Sequence, residues 1–102
     1  MKYKTIYDNL IQKRQREVPE GYTEEHHILP RSLGGSDTKV NLVRLTAREH
    51  YMTHYLLMKM QEPKSDSYFS MLRAFLMMQV QHGDNRYIPS HKFELLRKID
   101  SE

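Results

Sequence analysis

The sequence predicts an α+β fold, mostly helical, in which a small pair of strands is set among helices. Three observations predict it. An amphipathic repeat with helical spacing opens the chain. Two short β-prone stretches then flank a loop rich in Pro, Gly and Ser. Further helical stretches, opening at Thr46, Ser65 and Ser90, fill the remainder. The 102 residues suit a single domain. Its centre is a strand–loop–strand–helix unit over about 22–61, preceded by a helix over about 2–17 and followed by helices over about 65–82 and 90–100.

Taken in order, Tyr3, Ile6, Tyr7, Leu10 and Ile11 fall at i, i+3, i+4, i+7 and i+8, the apolar stripe of the first helix. Pro19 and Gly21 stop it. Its polar end, QKRQRE, reads as a solvated, basic helix terminus that suits the helix dipole, with phosphate contact as the alternative. Tyr22–Leu29 reads as extended, PRSLGGSDTK as a loop and NLVRLT as a second short strand. Gly34 and Gly35 either form an ordinary tight turn or let the loop approach a ligand closely. Thr46 and Glu49 form a capping box that opens a helix running to about Gln61, before Pro63. Tyr68, Met71, Leu72, Phe75, Leu76 and Met78 stripe the next helix, with Gly83 as its cap and a turn at 83–85. Ser90 caps a last helix carrying Phe93, Leu96 and Ile99. Met71, Met77 and Met78 read as core filler or a partner surface, and His82 and His91 as surface or cap histidines.

Composition narrows the function classes. With no cysteine, disulfides and thiolate metal sites are excluded. No apolar run is long enough to span a membrane, and MKYKTIYDNL lacks the apolar region of a secretory signal, so a cytoplasmic setting is expected. A net charge of +3 and a pI near 9.2 give a mild basic bias, compatible with a nucleic-acid partner.

The chemistry concentrates in four histidines. His50 and His54, four apart on a helix, share one face, the spacing by which a helix offers two imidazoles to one metal ion. HxxxH alone is a weak signal; the adjacent pair His26-His27 on the preceding strand strengthens it. Neighbouring strand residues point to opposite faces, so the two would look different ways unless both converge at a strand end. Three neutral imidazoles with an open position suit Zn²⁺ or another first-row transition ion, whereas Mg²⁺ prefers oxygen. A spare imidazole beside such a site is a candidate general base.

The stretch EEHHILPRSLGGSDTKVNLVRLTAREHYMTH resembles the HNH endonuclease family, the ββα-metal (His-Me) finger, and HHILPRSLGG, NLVRLTAREH and HYLLMK look like its phage-type homing and nicking branch. The pattern is His26-His27, then Asn41, then His50 with His54, and it covers about a third of the chain. The resemblance implies a ββα-metal finger flanked by the N-terminal helix and two C-terminal helices. It also implies a metal-dependent DNA endonuclease that nicks double-stranded DNA, leaving 5′-phosphate and 3′-hydroxyl ends. His26, His50 and His54 would be the metal ligands, and His27 the base that deprotonates the attacking water. Asn41 would pin the loop between the strands and so hold His27 in place. One divalent ion is implied, Zn²⁺ or another transition metal for binding, with Mg²⁺ open for activity. Glu24, on the strand face of His26, is placed to orient a ligand histidine, and a plain surface carboxylate is its alternative reading. Glu25 is assigned no role. Arg31, Arg44 and Arg48 surround the motif in sequence as candidate phosphate contacts, or else as solvated surface residues.

DNA is the expected partner, with no membrane contact, and the chain is a monomer or a homodimer. Two other readings compete: a structural metal finger that binds DNA without cutting it, and a helical interaction protein with incidental histidines. A structural site would close four ligands and leave no spare base.

Overall fold

The computed structural model describes residues 2–81 and 90–101. Helix α1 spans Lys2–Arg16, strand β1 Glu24–His27, strand β2 Leu42–Leu45, helix α2 Ala47–Lys59, helix α3 Asp66–Gln81 and helix α4 Ser90–Ser101. The fold is thus mostly helical with one small antiparallel sheet, consistent with the expected α+β class. Two 3₁₀ turns, Arg31–Leu33 and Lys39–Asn41, sit in the connection between the strands, which has no long-period repeat to announce them. The expected cap Gly83, the turn at 83–85 and His82 lie outside the described residues, as do the side chains of His91 and Phe93.

Register decides what the sheet shows to each side. Glu24 pairs with Leu45, Glu25 with Arg44, His26 with Val43 and His27 with Leu42. Alternation therefore sends His26, Val43 and Leu45 inward, where they are 2%, 6% and 0% exposed, and turns Glu25 and Arg44 to solvent. The inward face joins one core with Tyr7 and Ile11 of α1 and with the buried residues of α2. Helix α3 covers the other side of α2. Phe75 lies 5.1 Å from the Tyr51 ring and 5.6 Å from that of Tyr55, with Met71 and Met78 buried alongside. Helix α4 closes the core with Ile99 and Leu96, and its Asp100 carboxylate accepts hydrogen bonds from the hydroxyls of Tyr3 and Tyr55.

The start of α2 is fixed twice over. Thr46 Oγ1 accepts from the Glu49 N–H, while the Glu49 carboxylate accepts from the Thr46 N–H. The same carboxylate accepts from Arg14 Nε at 2.9 Å and Nη2 at 2.8 Å. Arg14, read from sequence as part of a solvated basic end, instead ties the end of α1 to the start of α2, with both side chains largely covered. Replacing Glu49 by Ala removes a cap and leaves the largely covered Arg14 guanidinium with only the weaker contacts to Glu17. The expected loss of stability is about 2–3 kcal/mol by denaturant unfolding. A change below about 0.5 kcal/mol would mean that the pair is a surface ornament.

Candidate metal centre

The inward position of His26 on β1 and the helical spacing of His50 and His54 on α2 bring three imidazoles to one point. One ring nitrogen from each lies within 4.8 Å of those of the other two, the one grouping of this kind among the described residues. Ring centroids are 5.2 Å apart for His26–His50, 5.5 Å for His26–His54 and 4.9 Å for His50–His54. The helix here is packed tightly: Thr53, between the two histidines, is fully buried and donates to the His50 carbonyl at 2.7 Å.

Hydrogen bonding settles which nitrogens carry protons. Tyr7 Oη lies 2.6 Å from the Ile28 carbonyl and 2.8 Å from His26 Nε2. A carbonyl only accepts, so the tyrosine proton goes to Ile28 and His26 Nε2–H donates to Tyr7. That leaves the His26 Nδ1 lone pair bare. Glu24 Oε1 lies 2.8 Å from His50 Nδ1. Its carboxylate accepts that proton and leaves the lone pair of His50 on Nε2. His50 Nε2 and His54 Nε2 are 3.2 Å apart. Two nitrogens bound tetrahedrally to zinc at about 2.0–2.1 Å would be separated by about 3.3 Å. Of His54, Nε2 is thus the nitrogen placed to ligate, and its Nδ1 is buried with no hydrogen-bond partner among the described residues. The three residues fit one transition-metal ion.

The electrostatics agree. Burial, then the neighbouring His54, His50 and His27, push His26 down to about 2. Burial and the nearby His50 push His54 down to about 4, against a smaller pull from Glu24. Both imidazoles are therefore neutral near pH 7, the form that ligates metals.

An open cleft of about 590 Å³ leads to this point. Glu25, His26, His27, Pro30 and Arg31 form one side, His50 and His54 the floor, and Ala74, Met77 and Met78 of α3 the far wall. His27, at the end of β1, thus reaches the same cleft as His26 but stands apart from the three-imidazole group. Its Nε2 lies 2.8 Å from Asp37 Oδ1, and Arg31 Nε is 3.6 Å from the same oxygen. The hydrogen bond from His27, then the charge of Arg31, hold the Asp37 carboxyl below its usual range.

Asn41 organises the loop that carries Asp37. Its side chain accepts from the Leu29 N–H at 2.8 Å and donates to the carbonyls of Leu29 and Ser36 at 2.9 and 2.8 Å. Its own carbonyl accepts from the Ile28 N–H at 2.8 Å. Gly35 is required here: a Cβ would come within 1.7 Å of the Leu29 carbonyl oxygen. Gly34, with φ +97°, turns the chain in the left-handed region.

Of the arginines, Arg31 lines the cleft, and Arg48 is exposed in the first turn of α2. Arg44 donates to Thr23 Oγ1 and to the Thr23 carbonyl, and lines a second groove with Arg14 and Lys39 rather than the cleft. Two side chains at the site were not singled out in the sequence. Tyr7 read as core, though a buried tyrosine hydroxyl needs a partner. Asp37 gave no signal, lying ten residues after His27 in a loop without periodicity.

The chain is similar to three proteins of Enterobacteria phage T4. It is 49% identical to one named probable mobile endonuclease E over 87 residues, 84% of this chain and 58% of that protein. Identity to probable mobile endonuclease C is 40%, covering 92% of this chain and 47% of the relative. Identity to probable mobile endonuclease D is 35%, covering 96% and 40%. The chain spans about half the length of these relatives. No protein-family model matches it, and no solved structure does. No helix among the described residues is long and apolar enough to cross a membrane.

Two imidazoles held neutral make the metal-free protein acid-labile. Below about 6.5, the ordinary histidine value, the unfolded chain takes up protons that the native His26 and His54 refuse. Stability should therefore fall as the pH drops from about 6.5. Each imidazole contributes about 1.4 kcal/mol per pH unit, His54 until about pH 4 and His26 until about pH 2. Melting curves in chelator between pH 7.5 and 4.5 check this. A flat Tm across that span would contradict the buried, neutral assignment.

Proposed function

We propose that this chain is a metal-dependent DNA endonuclease of the HNH type, a ββα-metal finger that hydrolyses a phosphodiester bond and nicks double-stranded DNA. The observation that carries the reading is the division among the histidines. His26, His50 and His54 share one buried point, while His27 opens into the same cleft outside that group. The similarity to proteins named mobile endonucleases supports DNA as the substrate.

In this reading His26, His50 and His54 hold one divalent ion, Zn²⁺ or another first-row transition metal, with Mg²⁺ open for activity. A bound ion supplies Lewis acidity at the scissile phosphate. Glu24 and Tyr7 hold His50 and His26 in the tautomers that present their lone pairs. His27 takes the proton of the water that attacks phosphorus, in line with the departing 3′ oxygen. Asn41 keeps the end of β1, and with it His27, in register with the loop. Arg31 at the cleft and Arg48, exposed in the first turn of α2, bind backbone phosphates, and Arg44 contributes from the second groove. Binding is electrostatic and weakens with salt. One such site faces one scissile phosphate, so each chain makes a nick. The protein acts in the cytoplasm of a bacterial or phage-infected cell, as a monomer or a homodimer.

A structural metal finger is the alternative, and His27 separates the two. His54→Ala should lose metal, thermal stability and cleavage together. His27→Ala should keep metal content, Tm and DNA affinity while the nicking rate falls by about 10²–10⁴-fold. Supercoiled plasmid, assayed with metal chelated and then restored, gives the rate. Loss of the metal in His27→Ala, or nicking at the parental rate, would show that the roles are assigned wrongly.

A further inference from the structure

The loop between the strands makes several connections that metal binding alone does not require. Asp37 is 68% exposed and contributes nothing to the core, so packing does not explain where it sits. Yet its surroundings are fixed on both sides. The Ser36 carbonyl accepts from Asn41 Nδ2 at 2.8 Å, the Thr38 carbonyl accepts from the Asn41 N–H at 2.9 Å, and the Ser36 and Thr38 hydroxyls bond to each other at 2.7 Å. Asn41 simultaneously grips Leu29, two residues past His27. The close passage of Gly35 over the Leu29 carbonyl brings the two strands of this clamp together. One asparagine thus fixes the backbone carrying His27 and the backbone carrying Asp37 to each other.

We infer that Asp37 is a positioning residue for His27: its carboxylate holds the imidazole as the Nε2–H tautomer, turned so that Nδ1 is the nitrogen that accepts a proton from water in the cleft. The chemistry follows from the 2.8 Å contact. An ionised carboxylate only accepts, so the shared proton resides on Nε2 and the lone pair is left on Nδ1. When Nδ1 takes a proton from water, the imidazolium that forms faces a carboxylate already in place. Arg31, 3.6 Å from the same oxygen, restrains the carboxylate from the other side and links the base to a residue of the cleft wall. This role rests on the reading of the chain as a nuclease with His27 as base. Asp37 touches neither the three-imidazole group nor the core; its charged neighbours among the described residues are His27 and Arg31, and DNA affinity, in which Arg31 takes part, separates the two routes.

The test has two parts that fail separately. In the first, nitrogen-detected NMR of the imidazoles at pH 8 reports the His27 tautomer. The protein should show the Nε2–H form, and Asp37→Asn or Asp37→Ala should shift it to a mixture. A mixture already in the parent, or no change in either variant, overturns the inference whether or not the protein cuts DNA. In the second, single-turnover nicking of supercoiled plasmid is measured with saturating enzyme in Asp37→Ala, Asp37→Asn, Asp37→Glu and His27→Ala, and in the His27→Ala/Asp37→Ala double variant. Asp37→Ala and Asp37→Asn should slow the parent by about 10–100-fold, the scale found for carboxylates that orient metal-bound histidines, with metal content, Tm and DNA affinity unchanged. Asp37→Glu should recover part of the rate. In the His27→Ala background the Asp37 change should cost nothing further. An equal loss in both backgrounds, or a loss confined to DNA affinity, would assign Asp37 to substrate binding through Arg31 and overturn the positioning role. A parent that never nicks, with the tautomer shift intact, would instead sink the nuclease reading.

Discussion

Three imidazoles packed against one another, His26 buried and His50 and His54 partly so, form the constraint on which the site depends. His26 and His54 lose water on burial, and neither is charged cheaply with the other imidazoles beside it. The chain accommodates this with partners on the outward side of the cluster: Tyr7 Oη accepts from the Nε2–H of His26, and the Glu24 carboxylate accepts from the Nδ1–H of His50. What remains at the centre is lone pairs that face one another, with His50 Nε2 and His54 Nε2 3.2 Å apart. Such an arrangement is unfavourable as it stands and becomes favourable around a cation. It therefore fits a site shaped for an ion better than a core shaped for stability.

The surrounding fold serves to hold that cluster. Register on the two-stranded sheet turns His26 inward, and the capping box with Arg14 fixes where α2 begins and so the height of His50 and His54. A two-stranded sheet would be marginal alone; α1, α2 and their shared core supply what it lacks. The inter-strand loop is tied to the same framework by Asn41 and Gly35, so the position of His27 follows from that of His26. Helix α3 closes the far side of the cleft with Ala74, Met77 and Met78, and Ser70 Oγ donates to Ser32 Oγ across to the loop.

Periodicity made much of this legible. The Tyr7–Ile11 stripe, the capping box at Thr46 and Glu49, and the inward and outward alternation of Leu42 to Leu45 are local signals, and each corresponds to an element within a few residues. The spacing of His50 and His54 beside a strand histidine pair pointed to a shared ion, and the resemblance to the HNH family chose His26 over His27 for the group that the fold assembles. Contacts between residues distant in sequence were not legible. Arg14 looked solvated because nothing near it in sequence is its partner; Glu49, 35 residues on, is. Tyr7 looked like core because its hydroxyl meets His26 only after the strand folds back. Asp37 reaches His27 across a loop with one 3₁₀ turn, Arg31–Leu33, and no repeat to betray it. The methionines show the same limit: Met71 and Met78 fill the core as expected, but Met77 is exposed and, with Met78, lines the cleft.

The central claim is that three imidazoles share one ion and the fourth stands free of it. Anomalous scattering from crystals grown with zinc or cobalt tests this most directly. One peak is expected, about 2.0–2.2 Å from a nitrogen of each of His26, His50 and His54, with none from His27. A peak bonded to His27, or no peak among the three histidines at saturating metal, would contradict it.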